Sequence, residues 1–167
     1  MDGVCPMERA TSLTREGAPA GVLIALLPRP LRKTSMAFDP SEIPYPPAVW
    51  SYVLPGGWYV WAGRTARDND KLSVKVARND DWWFHLRGMP GSHVVLFVRD
   101  GIEPPRDIVN QAAAIAAYHS KQRKGGVVAV SGTRARFVSK PRGAKAGSVT
   151  IRREVTFKVR PAVPKTS

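Results

Sequence analysis

The chain has 167 residues, 43% of them hydrophobic, and its 26 basic against 13 acidic side chains give a net charge of +13. That length suits one globular domain with tails, and a single cysteine, Cys5, excludes both an intrachain disulfide and a cysteine metal centre. The continuous apolar run at residues 21–27 falls far short of the roughly 20 residues of a membrane-spanning helix, and Glu8 and Glu16 spoil it as a secretory signal, so a cytoplasmic protein with no membrane partner is expected.

Residues 1–48 hold five basic and five acidic side chains, residues 49–116 eight and seven, and residues 117–167 thirteen and one. An excess of +12 confined to the last third makes a positive field that attracts a polyanion. Nucleic acid fits that field better than a membrane surface or mere solubility does.

Along the chain, residues 1–48 are broken by Pro19, Pro28, Pro30, Pro40, Pro44, Pro46 and Pro47 and keep no helical or strand period, as expected of a tail. Met36 offers an alternative start. The domain is expected over residues 49–162, with 163–167 as a C-terminal tail. After the turn signal Pro55, Gly56 and Gly57, residues 58–62 are aromatic and β-branched, like a strand packed on both faces. Residues 71–77 admit two readings: Leu72, Val74 and Val76 alternate as in a strand, while Asn69 or Asp70 would cap a short helix.

Residues 82–86 and 93–98 form the next two expected strands, parted by a turn at residues 89–92. Behind Pro104 and Pro105, Asp107 can cap a helix in which Ile108, Ala112, Ile115 and His119 recur at helical spacing until Gly125 and Gly126. A return strand at 127–130 and three short strands at 135–138, 148–151 and 155–159 follow, with a basic, glycine-flanked loop at 140–147. The order of elements predicts a single α+β domain: a mostly antiparallel sheet with one principal helix packed on it.

Six ordered segments resemble a known family. Gly63 and Arg64, then Asn69 and Asp70, then Asp80, Asp81, Trp82, Trp83, Phe84 and His85, then Pro90, Gly91, Ser92, His93 and Val94 match the NFACT-R pattern in order and spacing. Ala117, Tyr118, His119, Ser120 and Lys121 resemble the end of the family's helix, and Lys140, Pro141, Gly143, Ala144, Lys145 and Gly147 its basic loop, with Ala146 where proline is frequent. The resemblance covers about residues 52–161. It implies RNA binding, with tRNA or ribosomal RNA as target and the large ribosomal subunit as a partner, in translation or ribosome quality control. Longer members, the RqcH-type factors, carry further domains ahead of this one, so with 48 residues in front the expectation is a stand-alone member.

Candidate RNA-binding residues are Arg64, Asn69, Asp81, Trp82, His85, His93, Lys121, Lys140, Arg142 and Lys145. Lys140, Arg142 and Lys145 sit where a flexible backbone can approach phosphates, though a solvated loop would look the same. Lys121 lies at a helix C-terminus, where a cation also suits the dipole, and Arg64 is open to an ion pair with the acidic residues at 68–70. Of the paired tryptophans, Trp83 is expected to be buried and Trp82 to offer an exposed stacking platform.

Asp81, His85 and His93 are the one place where chemistry could gather. Spacing puts Asp81 and His85 on one face of a strand, with His93 beside them from its partner. That composition suits a facial metal site or an RNA-processing enzyme, but equally two histidines that fix a hairpin. The expectation is a binder with no catalytic residue, metal or cofactor. The alternatives kept open are an RNA-processing enzyme using that trio and a basic protein-interaction module.

Overall fold

Alternation along the strands decides the architecture. The computed structural model describes residues 42–44, 46–99 and 101–165, so most of the expected tail, with its apolar run and Met36, lies outside the described residues. Among them run strands β1 (Val49–Leu54) and β2 (Trp58–Gly63), helix α1 (Ala66–Asp70), a π-helical turn (Lys71–Val76), strands β3 (Trp82–Leu86) and β4 (Val94–Leu96), and helix α2 (Arg106–Tyr118). Strand β5 (Val128–Arg134), a 3-10 turn (Ala135–Phe137), β6 (Val138–Ser139), β7 (Thr150–Ile151) and β8 (Val155–Val159) complete the domain. Six strands pair antiparallel in the order β1-β2-β4-β3-β5-β8, and β6 with β7 makes a separate ribbon. This is the α+β domain with one principal helix that the sequence predicts.

Period-two alternation sends Trp58, Val60 and Ala62 of β2, Phe84 and Leu86 of β3, and Val94 and Leu96 of β4 to one face, where α2 lies across them. The helix meets the sheet with Ile108, Ala112, Ile115 and a run of buried alanines that lets its backbone come close. The opposite face holds Trp61, Trp83, Val95 and Phe97 against Leu72 of the π-helical turn and Val138, Val149 and Ile151 of the small ribbon. Both faces are therefore covered. Trp58 and Trp61 are accordingly both buried although they point to opposite faces, and Trp83 is buried as expected. Trp83 gives its indole N–H to Ser73 Oγ at 2.9 Å, so its burial leaves no orphan donor.

The structure corrects several local readings. Of the two readings left open for residues 71–77 the helical one holds, over Lys71–Val76, but the helical stretch starts earlier: Thr65 is the N-cap of α1, its Oγ1 accepting from the Asp68 N–H at 3.2 Å. Asn69 and Asp70 are thus inside a helix and not its caps. Residues 135–137 form a 3-10 turn in place of a strand, and β5 runs on to Arg134. Pro105, with no side-chain bond, occupies the cap position of α2, and Asp107 instead sits in its first turn, where a carboxylate suits the dipole. The helix stops at Tyr118, well before Gly125.

Contacts also reach beyond residues 49–162. Ile43 packs on the second core, the Ala48 N–H donates to Asp68 Oδ1 at 3.0 Å, and Val163 packs against the helix-side core. No helix among the described residues is long and apolar enough to cross a membrane.

Candidate functional site

Four separate segments converge on one open groove of about 610 Å³: Arg64 to Ala66 and Asn69 from the β2–α1 corner, His85 from β3, the turn at residues 88–92, and Ala146 with Gly147 from the basic loop. The corner is built by a close approach. A Cβ on Gly63 would lie 2.2 Å from Asn69 Oδ1, so only glycine fits beside that buried amide. Asn69 in turn accepts the His93 N–H at 3.0 Å, and the Gly63 N–H donates to the His93 carbonyl at 3.0 Å. Asn69 is thus the brace that joins β2 to the turn before β4, and its position beside Gly63 leaves Arg64 exposed at the groove's rim.

Asp70 performs the same service for the basic loop. Its Oδ2 accepts from Lys140 Nζ at 2.9 Å and its Oδ1 from the Gly147 N–H at 3.1 Å, while Lys140 also donates to the Lys145 carbonyl at 2.8 Å. Both ends of the loop are therefore pinned, and Lys140 spends its charge on the pin. Arg142 and Lys145 are exposed and have no carboxylate partner among the described residues. Arg64 likewise has none; its guanidinium lies 5.3 Å from the centre of the Trp50 ring. The ion pair left open as the alternative for Arg64 does not form among the described residues, because Asp68 is taken by Thr65 and Ala48 and Asp70 by the loop. These bonds also hold the Asp68 carboxyl below its usual pKa, the Thr65 hydroxyl contributing most.

The histidines lie together but are held differently. His93 is 2% exposed, its Nδ1 2.8 Å from Ser73 Oγ and its ring edge-on to Trp83 and His85. Burial, and next the neighbouring His85, lower its pKa to about 4, so it is neutral and structural in contact. His85 is half-buried and lines the groove; burial lowers its pKa as well, which leaves a neutral imidazole able to donate or accept a hydrogen bond there.

Asp81 does not join them. It precedes β3 and is 1% exposed, accepting from the Val98 N–H at 2.7 Å and the Arg78 N–H at 2.8 Å, with the Arg78 guanidinium 3.4 Å away. Desolvation nonetheless raises its pKa, the hydrogen bonds and Arg78 opposing. It borders a different recess, with Arg78 and Arg99, so the expected trio on one face is not assembled. Among the described residues no three metal-ligating side chains come together.

Trp82 is also not the free platform expected. It points to the helix side, stacked on Phe84 at 5.8 Å, and the Arg134 guanidinium covers its ring at 4.2 Å. Lys121 is exposed just past α2, next to Ser120, which bridges to Gly91 at the groove's end. Sequence reasoning missed Ser73, the shared partner of Trp83 and His93, and the aromatic pair Trp50 and Tyr52 on β1. A polar residue between Leu72 and Val74 was the only signal for the first.

The family model described as NFACT protein RNA binding domain matches residues 49–153. A protein of Bacillus subtilis named Rqc2 homolog RqcH is 37% identical over 131 residues, 78% of this chain and 22% of its own. One of the same name from Streptococcus suis is 37% identical over 110 residues, 66% of this chain and 20% of its own. The chain thus spans about a fifth of the length of these relatives. A solved structure, the C-terminal part of the fibronectin/fibrinogen-binding protein of Streptococcus suis, superposes with a TM-score of 0.63 at 36% identity, covering 67% of this chain and 45% of that one.

Proposed function

Because the chain belongs to the NFACT RNA-binding domain family, we propose that it is a non-enzymatic binder of structured RNA, with tRNA or ribosomal RNA as the target. The setting proposed is cytoplasmic ribosome quality control, at the large ribosomal subunit. One observation carries the reading. Segments far apart in sequence meet at a groove that offers Arg64 at its rim, with Arg142 and Lys145 exposed on the loop that supplies Ala146 and Gly147 to it; none of the three has a carboxylate partner among the described residues, while the nearby acidic charges are consumed by structural bonds. Such cations position a sugar-phosphate chain, and a neutral His85 on the groove wall can reach a base edge or a 2′-hydroxyl. The trio weighed for RNA processing is not assembled, since Asp81 is held by the Val98 N–H and lines a recess that neither histidine enters.

The test is a titration of tRNA, a ribosomal RNA fragment and a generic duplex at several salt concentrations. Tight binding of the structured RNAs with a steep negative salt slope is expected; no binding to any of them at low salt refutes the reading. A second reading, a basic face that docks an acidic protein, is favoured by one fact: the solved Streptococcus suis relative is described as a fibronectin/fibrinogen-binding protein. Retention of one protein partner after nuclease treatment, with no RNA bound, would establish it instead.

A further inference from the structure

A second recess opens where β1 meets the C-terminal end of α2. Trp50 and Tyr52 face Tyr118, His119, Ser120 and Arg123 around a volume of about 370 Å³, within the about 300–1,000 Å³ of small-ligand sites. Its rings hold one another in place. Trp50 stacks on His119 with centroids 4.3 Å apart and planes 19° off parallel, Tyr52 Oη and His119 Nε2 are 2.7 Å apart, and Tyr118 meets His119 edge-on. Rings fixed in this way lose little freedom when a ligand arrives.

Two cations overhang these rings. The Arg123 guanidinium lies 4.0 Å from the Tyr118 centroid and bonds its hydroxyl; that of Arg64 lies 5.3 Å from the Trp50 centroid. Neither arginine has a carboxylate partner among the described residues. Burial, with Arg123 adding to it, lowers the His119 pKa to about 4, so the ring is a neutral π surface at ordinary pH.

Flat aromatic and guanidinium surfaces together suit a flat π-system attached to a negative charge. A bare anion has no use for the rings, and an apolar ligand none for the arginines. The recess also neighbours the groove. Arg64 lines the groove and reaches over the Trp50 ring that walls the recess, and the Ser92 N–H donates to the His119 carbonyl at 2.9 Å, stitching the groove's turn to the recess wall.

We propose that this recess is a nucleobase subsite: an RNA strand whose phosphates lie along the groove turns one unpaired base past Arg64 to stack on the guanidinium planes of Arg64 and Arg123, which Trp50 and Tyr118 back from behind. This rests on the RNA-binding reading and adds to it a preference for RNA with an unpaired base, which stacking supplies for any base.

The experiment compares a hairpin carrying a loop of unpaired purines with the same hairpin made abasic in the loop, bound to the full chain and to Tyr118→Leu, Tyr118→Phe and Trp50→Leu. Wild type should favour the base-bearing loop by about tenfold. Tyr118→Leu should erase that preference without changing affinity for the abasic hairpin, and Tyr118→Phe should keep it. A photoreactive thiouridine in the loop, crosslinked to wild type and mapped by mass spectrometry, gives a readout that does not depend on any variant folding; crosslinks should fall on Trp50, Tyr118 or His119. Equal binding of the two hairpins by wild type, or crosslinks confined to β8 and residues 140–147, overturns the subsite while leaving RNA binding intact. Failure of wild type to bind either hairpin overturns both readings.

Discussion

Replacing Asp81 with alanine should destabilise the domain and leave its RNA contacts untouched while it remains folded. The carboxylate accepts two backbone N–H groups, from Val98 at 2.7 Å and Arg78 at 2.8 Å, and is itself 1% exposed. Val98 is buried, so its donor cannot turn to water; leaving such a donor unsatisfied costs about 1–3 kcal/mol. Arg78 has a side chain 41% exposed, so its guanidinium pair contributes little beyond that, though its N–H adds part of a second donor. The total is about 3–4 kcal/mol, a fall of about 10–15 °C in melting temperature for a domain of this size. Asp81→Asn keeps one acceptor oxygen and should lose about half as much. Thermal melts of both variants, followed by RNA titration well below the melting point, make the check. A variant that melts like wild type yet binds RNA several-fold more weakly would show that Asp81 reaches the ligand and that its hydrogen bonds have been misread.

Three further outcomes follow from the same geometry. His93 has a pKa of about 4 in the fold against an ordinary 6.5, so the unfolded chain takes up a proton first; stability should be full above about pH 6.5 and fall toward pH 4, by about 3 kcal/mol from this residue. His119 adds to the loss in the same direction, less because it is half exposed, and a urea midpoint that does not move between pH 7.5 and 5 would contradict both. Asp70→Ala should free the loop at residues 140–147, raising the rate of tryptic cleavage after Arg142 and Lys145 at a cost of about 1–2 kcal/mol in stability; an unchanged cleavage rate would mean the pin does not hold the loop. Gly63→Ala sets a Cβ 2.2 Å from Asn69 Oδ1 and should cost about 1–3 kcal/mol in a denaturant melt, with no cost counting against the brace.

Strands β2 and β3 were legible because alternation over aromatic and β-branched residues admits few other readings. α2 was legible from its spacing, although its cap was not, since Pro105 takes the position that Asp107 was expected to fill. The stretch at 71–76 was ambiguous because Leu72 and Val76 fall on one side of either a strand or a helix; only Thr65, six residues before the stretch begins, decides for the helix. Residues 58–62 read as packed on both faces, but what supplies the second cover was not legible, being assembled from short pieces around Leu72, Val138 and Ile151.

At the site, the motif segments named the right region but not the division of labour within it. Sequence puts Asn69, Asp70, His93 and Lys140 beside Arg64, His85, Arg142 and Lys145 with nothing to tell brace from surface. Burial and hydrogen bonding make that distinction: the first four hold the groove in shape, and the second four face it or lie exposed on the neighbouring loop.

The claim that those exposed cations contact phosphates is tested most directly by Arg64→Ala, Arg142→Ala and Lys145→Ala combined, titrated with tRNA across a range of salt. Each lost phosphate contact removes about 0.7–0.9 from the slope of log affinity against log salt, so the triple variant should bind more weakly at low salt and show a slope shallower by about 2–3, at an unchanged melting temperature. A folded variant with the wild-type slope and affinity would contradict the account and move the RNA site elsewhere on the domain.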